Sequence, residues 1–239
     1  MNPALAGLTC VVVAGAVTAV SAREPRAALL GLLVTLLGAS LIADPLPGPL
    51  SIAARIVGAV LACQLIAIAI RGTTEPTSGS RLGWLVEGLA GAAGIVIGYG
   101  THGIGAPGAG PPEAQAAGFA IGVLAAAPIV SGRDVLRLGT GAILRVTAGL
   151  LVRQGIGGTP SELEELATSG LIVGLGGAVA AIALGARAAG GGLVPHDGVA
   201  GGRRSRIQVR GRESADLHLA GAHPIEAKPD AAPRRPRPR

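Results

Sequence analysis

Aromatic side chains are nearly missing from this sequence, which holds one Trp, one Tyr and one Phe among 239 residues. A nucleic-acid surface needs a basic face with aromatic or groove-reading elements, so nucleic acid is set aside as a partner despite a net charge of +6. Cysteine is also scarce. Cys10 and Cys63 each fall in an apolar run, form no CxxC pair and offer no ligand spacing for zinc or an iron–sulfur cluster. Their expected role is that of small buried hydrophobes at different depths, which excludes a disulfide between them. His102, His196, His218 and His223 are scattered without the i, i+4 spacing of a helical metal pair, and the chain has no HExxH, Walker A or nucleophile-elbow sequence. No catalytic residue, metal or cofactor is therefore expected, and an enzyme is disfavoured because a site needs convergent titratable groups.

Charge is thin as well, at 14% of residues, and eleven of the twenty Lys and Arg lie from Arg187 onward. What remains is apolar and small: 49% hydrophobic residues, forty Gly, and a clearly positive mean hydropathy. A soluble core built of such residues would be full of voids, whereas in a bilayer small residues let helix backbones approach closely. The fold class expected is all-α, a polytopic membrane bundle of about seven helices over 1–187, with a disordered Arg/Pro-rich tail over 188–239. The spans expected are 3–22, 27–43, 50–70, 82–100, 114–130, 134–152 and 166–186, each near the length that crosses about 30 Å of hydrocarbon. The first resembles a signal peptide at Ala19–Ala22 but has no basic residue before it and runs long, so it reads as a retained helix.

Charge asymmetry gives an orientation. One set of connections carries Arg23 and Arg26, Arg71 and Arg81, Arg133 and Arg137, then Arg187 and the tail; the other carries Asp44, Glu113, and Arg153 with Glu162, Glu164 and Glu165. The first set is expected on the cytoplasmic side, which puts the N-terminus outside and the C-terminus inside. Trp84 and Tyr99 sit fifteen residues apart in the fourth span, near opposite interfaces, as an aromatic belt predicts. The basic tail has two readings, a solvated segment that reinforces topology and one that rests on anionic lipid.

Four polar residues inside the spans are the candidate functional positions, because intramembrane polar groups are costly. Arg145 lies eleven residues from one end of its span and seven from the other. It is expected to face the bundle or a subunit interface and to bond an acid such as Glu87 or an exposed carbonyl, with snorkelling and ion movement as alternatives. Arg55 and Glu87 are expected to reach their interfaces by snorkelling, and Gln64 lies deeper. The letters of GxGxxG at Gly103, Gly105 and Gly108 occur in a Gly/Pro-rich link without the flanking strand, so they read as a flexible connection. Ser161 to Glu165 reads as a helix N-cap with acids in the first turn. Gly94 with Gly98, Gly118 with Gly122, and Gly170 with Gly174 are ridges for close helix packing.

The stretch 118–187 resembles the small membrane subunits of respiratory complex I and its relatives. Its features run in order: an apolar helix ending in Ser131-Gly-Arg-Asp-Val-Leu-Arg137, a Gly-rich helix from Leu138-Gly-Thr-Gly-Ala-Ile-Leu144, an outer link Thr159-Pro-Ser-Glu-Leu-Glu-Glu-Leu166, and a last helix rich in small residues. It is similar to NADH-quinone oxidoreductase subunit K, to the equivalent small subunit of multisubunit sodium/proton antiporters and, in overall length, to component E of membrane-bound hydrogenases. The first three helices more faintly resemble subunit J, through Arg23-Glu-Pro-Arg-Ala-Ala-Leu29 and Ile56-Val-Gly-Ala-Val-Leu61. The resemblance implies a bacterial inner-membrane location and other membrane subunits as partners. In subunit K, buried glutamates serve proton movement; the corresponding points here are Gly141 and Gly177, so the resemblance implies a non-catalytic scaffold or accessory subunit. The rival expectations are a stand-alone transporter or channel, and a structural membrane protein with a regulatory tail.

Overall fold

The computed structural model describes residues 2–43, 46–71, 83–104, 110–131 and 134–188. Within them the chain is helical: α1 (Pro3–Ser21), α2 (Pro25–Ala39), α3 (Pro49–Ile70), α4 (Trp84–Thr101), α5 (Pro112–Ser131), α6 (Val135–Gly157) and α7 (Glu162–Ala188). The expected tail beyond Ala188, and with it Asp44, Arg81, Arg133, Gly105 and Gly108, lies outside the described residues.

Local chemistry sets the helix starts. Proline opens α1, α2, α3 and α5, where the missing N–H is no loss and its φ suits a first turn. Asn2 accepts from Ala4 N (3.1 Å) and Asp134 from Leu136 N (3.0 Å). At α7, Ser161 Oγ accepts from Glu164 N (3.3 Å) while Glu164 Oε2 accepts from Ser161 N (2.8 Å), a reciprocal capping box. α6 stops where Gly158 adopts φ +75°, a conformation costly for any residue with a Cβ.

Six of the seven helices are long and apolar enough to cross a membrane. The exception corrects the expected second span of 27–43: α2 has 15 residues, about 22 Å. After Ala39 the turn tightens to i→i+3 bonds, Leu41 N to Gly38 O (3.0 Å) and Ile42 N to Ala39 O (3.4 Å), and Pro45 and Pro47 follow in the sequence. The expected link 153–165 also shrinks to 158–161, because α6 runs on to Gly157 and α7 begins at Glu162.

Hydrogen bonds fix an alternating arrangement. Asn2 N donates to Glu113 Oε1, joining the starts of α1 and α5, and Arg55 donates to Glu165 near the starts of α3 and α7. At the opposite end Arg137 Nη2 donates to Val20 O (2.8 Å), and Arg187 Nη1 to Arg71 O (3.0 Å). Below, the end where the odd-numbered helices begin is called outer and the other inner, after the orientation the arginines predict.

The bundle is inverted relative to a water-soluble protein. Val11, Leu30, Leu61, Leu89, Val96 and Ile182 point outward, while Thr9, Thr35, Arg55, Glu87, Glu113, Gln154 and Glu165 are buried. A soluble surface rarely exposes so continuous an apolar area, and a bilayer requires it. This is a multi-pass membrane protein. Its core is a cluster led by Val12, Leu32, Ile66, Ile121, Ile143, Leu144 and Leu151. α5 packs most extensively on α6, and α7 packs more on α3 than on α6.

Glycine decides one of the closest contacts. A Cβ on Gly94 would lie 2.5 Å from Ala120 Cα, and one on Gly98 2.5 Å from Ala116 Cα, so α4 and α5 meet backbone to backbone along the predicted ridge. The ridge of Gly170 and Gly174 has nothing within 4 Å and faces outward instead.

Candidate functional site: the intramembrane charges

The four polar positions singled out by sequence part company in three dimensions, and none is bonded to another. Arg55 does not snorkel, which corrects the expectation for it. It is 8% exposed, and its Nη2 donates to Glu165 Oε1 at 2.9 Å. The pair ties α3 to α7 about 9 Å and about 4.5 Å below their outer ends, by helical rise. Ser51, Ala59 and Ser169 are also buried around these helix starts. Ser40, Arg55, Thr147, Thr168 and Ser169 help line a cavity of about 20 Å3 beside the pair, room for a single water by volume. Arg55 Nε, Glu165 Oε2 and Ser169 Oγ are buried without a hydrogen-bond partner.

Glu87 is likewise buried, at 2% exposure, in the first turn of α4. The expected escape to the inner interface is overturned because α4 turns this face, with Gly91, Gly94 and Gly98, against the bundle. Gln64 goes the other way: it is exposed on the outward side of α3. Cys63 is buried as expected, but Cys10 is exposed on the outward side of α1; both thiols are free.

Arg145 departs most from expectation. It has no hydrogen bond or ion pair with any described residue, and the expected contact with Glu87 is not made. Its side chain is exposed on the outer surface of the bundle, in a groove of about 610 Å3 between α5 and α6. The reason is helical phase: Ile143, Leu144, Thr147 and Ala148 take the buried face of α6, which leaves Arg145 and Gly149 on the open one. Arg145 Nη1 lies 3.9 Å from where a Cβ on Gly122 would stand. At the groove's outer end Arg153 Nη2 meets both oxygens of Glu164 at 3.1 Å, an exposed pair.

Several buried polar groups had not been singled out. In the sequence Glu165 falls just before the expected seventh span of 166–186 and reads as a helix-start acid; it enters the bundle because α7 begins earlier, at Glu162. Near the outer ends of α1, α4 and α5, Thr9 Oγ1 donates to Glu113 O (3.5 Å), Gln115 Nε2 to Thr101 Oγ1 (3.1 Å), and His102 Nδ1 to Gln115 Oε1 (2.8 Å). Gln154 is fully buried, and neither amide atom has a hydrogen-bond partner. At the inner end Asp134 is held above the ordinary carboxylate range by burial, against the opposing pull of Leu136 N–H and Arg137.

Chemically, this is a set of separate polar locks around an apolar core. Among the described residues no three His, Cys, Asp or Glu side chains gather where a metal ion would be held. Leu32, Ile121, Leu124, Ile143 and Leu144 are fully buried in the bundle core. No family model, curated protein or solved structure matches this chain.

Proposed function

We propose that this protein is a non-catalytic integral membrane subunit, a scaffold or accessory component of a larger assembly in a bacterial cell membrane. The observation that carries this reading is Arg145, exposed on the bundle's outer surface with no bonded partner among the described residues. A guanidinium near mid-span costs on the order of 3 kcal/mol by insertion scales when it meets only hydrocarbon. A chain that spends this on its outer face is built to meet something there. Among the described residues Arg55 pairs with Glu165, and the largest buried cluster is made of aliphatic side chains, which supports packing over ion movement.

The resemblance of 118–187 to the small membrane subunits of complex I, hydrogenase and antiporter assemblies names the class of assembly proposed. Gly141, where a proton-carrying glutamate would stand, packs on Ile129, Pro128 and Ala125, a role in packing. The test is ion flux by the purified chain alone in liposomes under an imposed proton or sodium gradient. The subunit reading expects flux no higher than in protein-free liposomes. Flux above that level, abolished by Arg145→Leu, would identify a stand-alone transporter.

A further inference from the structure

We infer that the α5–α6 groove seats a transmembrane helix of a different protein, one that carries an Asp or Glu near the middle of its span. The inference rests on the subunit reading and adds the partner's chemistry. Depth is the first argument. Gly122, beside Arg145 Nη1, is the eleventh of the 20 residues of α5, so the guanidinium sits about 15 Å from either end of that helix. It lies across the groove at mid-depth and does not extend to an interface.

That depth selects the occupant. A lipid phosphate stays at the headgroup level, and acyl tails carry no anion at mid-depth. A second copy of this chain has no suitable acid among the described residues. Glu87, Glu113, Asp134 and Glu165 are buried, Glu162 and Glu164 stand in the first turn of α7, and Glu24 caps the start of α2. Another protein's helix supplies what is missing, because only a side chain on a spanning segment brings a carboxylate to this level. The planar guanidinium would take it in a two-bond fork.

The groove's shape agrees. At the level of Arg145 the lining is Gly122, Ala126, Ala148 and Gly149, with the larger Phe119 and Val152 nearer the outer end. A Cβ on Gly149 would meet nothing within 4 Å, so the open wall is small and accessible. Small residues on one wall are what allow a second backbone to come close enough for packing to hold it.

The test uses the full chain in phosphatidylcholine vesicles with synthetic single-span leucine-rich peptides bearing Glu, Gln or Leu at the central position. Association is read by energy transfer between a dye on the chain and one on the peptide. The Glu peptide is expected to bind at least tenfold more tightly than the Leu peptide. Arg145→Leu should erase that preference and Arg145→Lys should keep most of it. Gly149→Trp, which fills the groove and leaves Arg145 in place, should block binding even if Arg145→Leu folds poorly. Equal binding of the three peptides, or a preference that survives Arg145→Leu, overturns the inference.

A photo-cross-linking residue at Gly149, compared with one at Gly174 on α7, separates this inference from the subunit reading in native membranes. Adducts from Gly149 to a helix with a mid-span acid support the groove. Adducts to another protein only from Gly174 overturn the groove and leave the subunit reading standing. Adducts to lipid alone from both positions overturn both.

Discussion

Replacing Arg55 with leucine would leave Glu165, 1% exposed between α3 and α7, with its charge and without the guanidinium that now neutralises it. Breaking a buried ion pair from one side costs roughly 3–5 kcal/mol, because the remaining ion is uncompensated. Glu165 lies one helical turn inside the outer end, where relaxation brings it nearer water, so a loss of about 3 kcal/mol is expected. The pair itself is imperfectly satisfied. Arg55 Nε and Glu165 Oε2 have no hydrogen-bond partner, so the attraction only partly offsets desolvation. Arg55→Met combined with Glu165→Leu should therefore be close to neutral, or stabilising by about 1 kcal/mol, since well-packed apolar replacements of buried pairs often are. The assay is reversible unfolding of the purified protein in mixed micelles as denaturing detergent is titrated, with both single variants and the double. The two single losses should exceed the double by several kcal/mol. Single losses below about 1 kcal/mol would show that water reaches the pair freely and that the packing of α3 on α7 is not organised around it.

Other consequences follow from the same contacts. Gly94→Ala should cost about 1–3 kcal/mol by forcing α4 off α5, whereas Gly170→Ala, with open space before it, should be neutral or gain about 0.5 kcal/mol; the same unfolding titration compares them. Asp134→Ala should lose about 1 kcal/mol with the α6 cap, and Asp134→Asn should lose less because it keeps the acceptor. The folded state holds the Asp134 proton more tightly than the unfolded chain, so that group's contribution to stability should fall as pH rises from the ordinary carboxylate range through its raised folded value, a trend absent in Asp134→Asn. A periplasm-only reporter fused after Gly192 should be silent if the C-terminus is inside, and strong activity would reverse the topology drawn from the arginines.

Much of the scaffold was legible because the bilayer imposes long apolar runs, and Pro3, Pro49 and Pro112 mark starts by chemistry that reads directly from sequence. The glycine ridge of Gly94 and Gly98 was legible for the same reason: close approach needs a missing Cβ. The second span reads too long because the apolar run from Leu41 to Ala43 is as hydrophobic as a helix end, and hydropathy does not register a last turn that tightens to i→i+3 bonds. The polar sites were harder. Hydropathy gives depth but not rotational phase, and α6 has polar residues on more than one side (Thr140, Arg145, Thr147, Gln154), so the run did not tell which face Arg145 would take. Phase came only from packing, with Ile143, Leu144 and Thr147 turned inward. Arg55 and Glu165 are 110 residues apart in sequence, and only the parallel packing of α3 on α7 makes them neighbours.

The central claim is that Arg145 is left exposed for another protein to cover. Its most direct test is the mass of the particle that carries this chain when native membranes are extracted in mild detergent, for the wild type and for Arg145→Leu. The expected wild-type particle is larger than the 23.3 kDa chain with its detergent and contains a second protein in fixed ratio, and a folded Arg145→Leu variant is released from it. A chain that runs alone at monomer mass in both cases would contradict the claim.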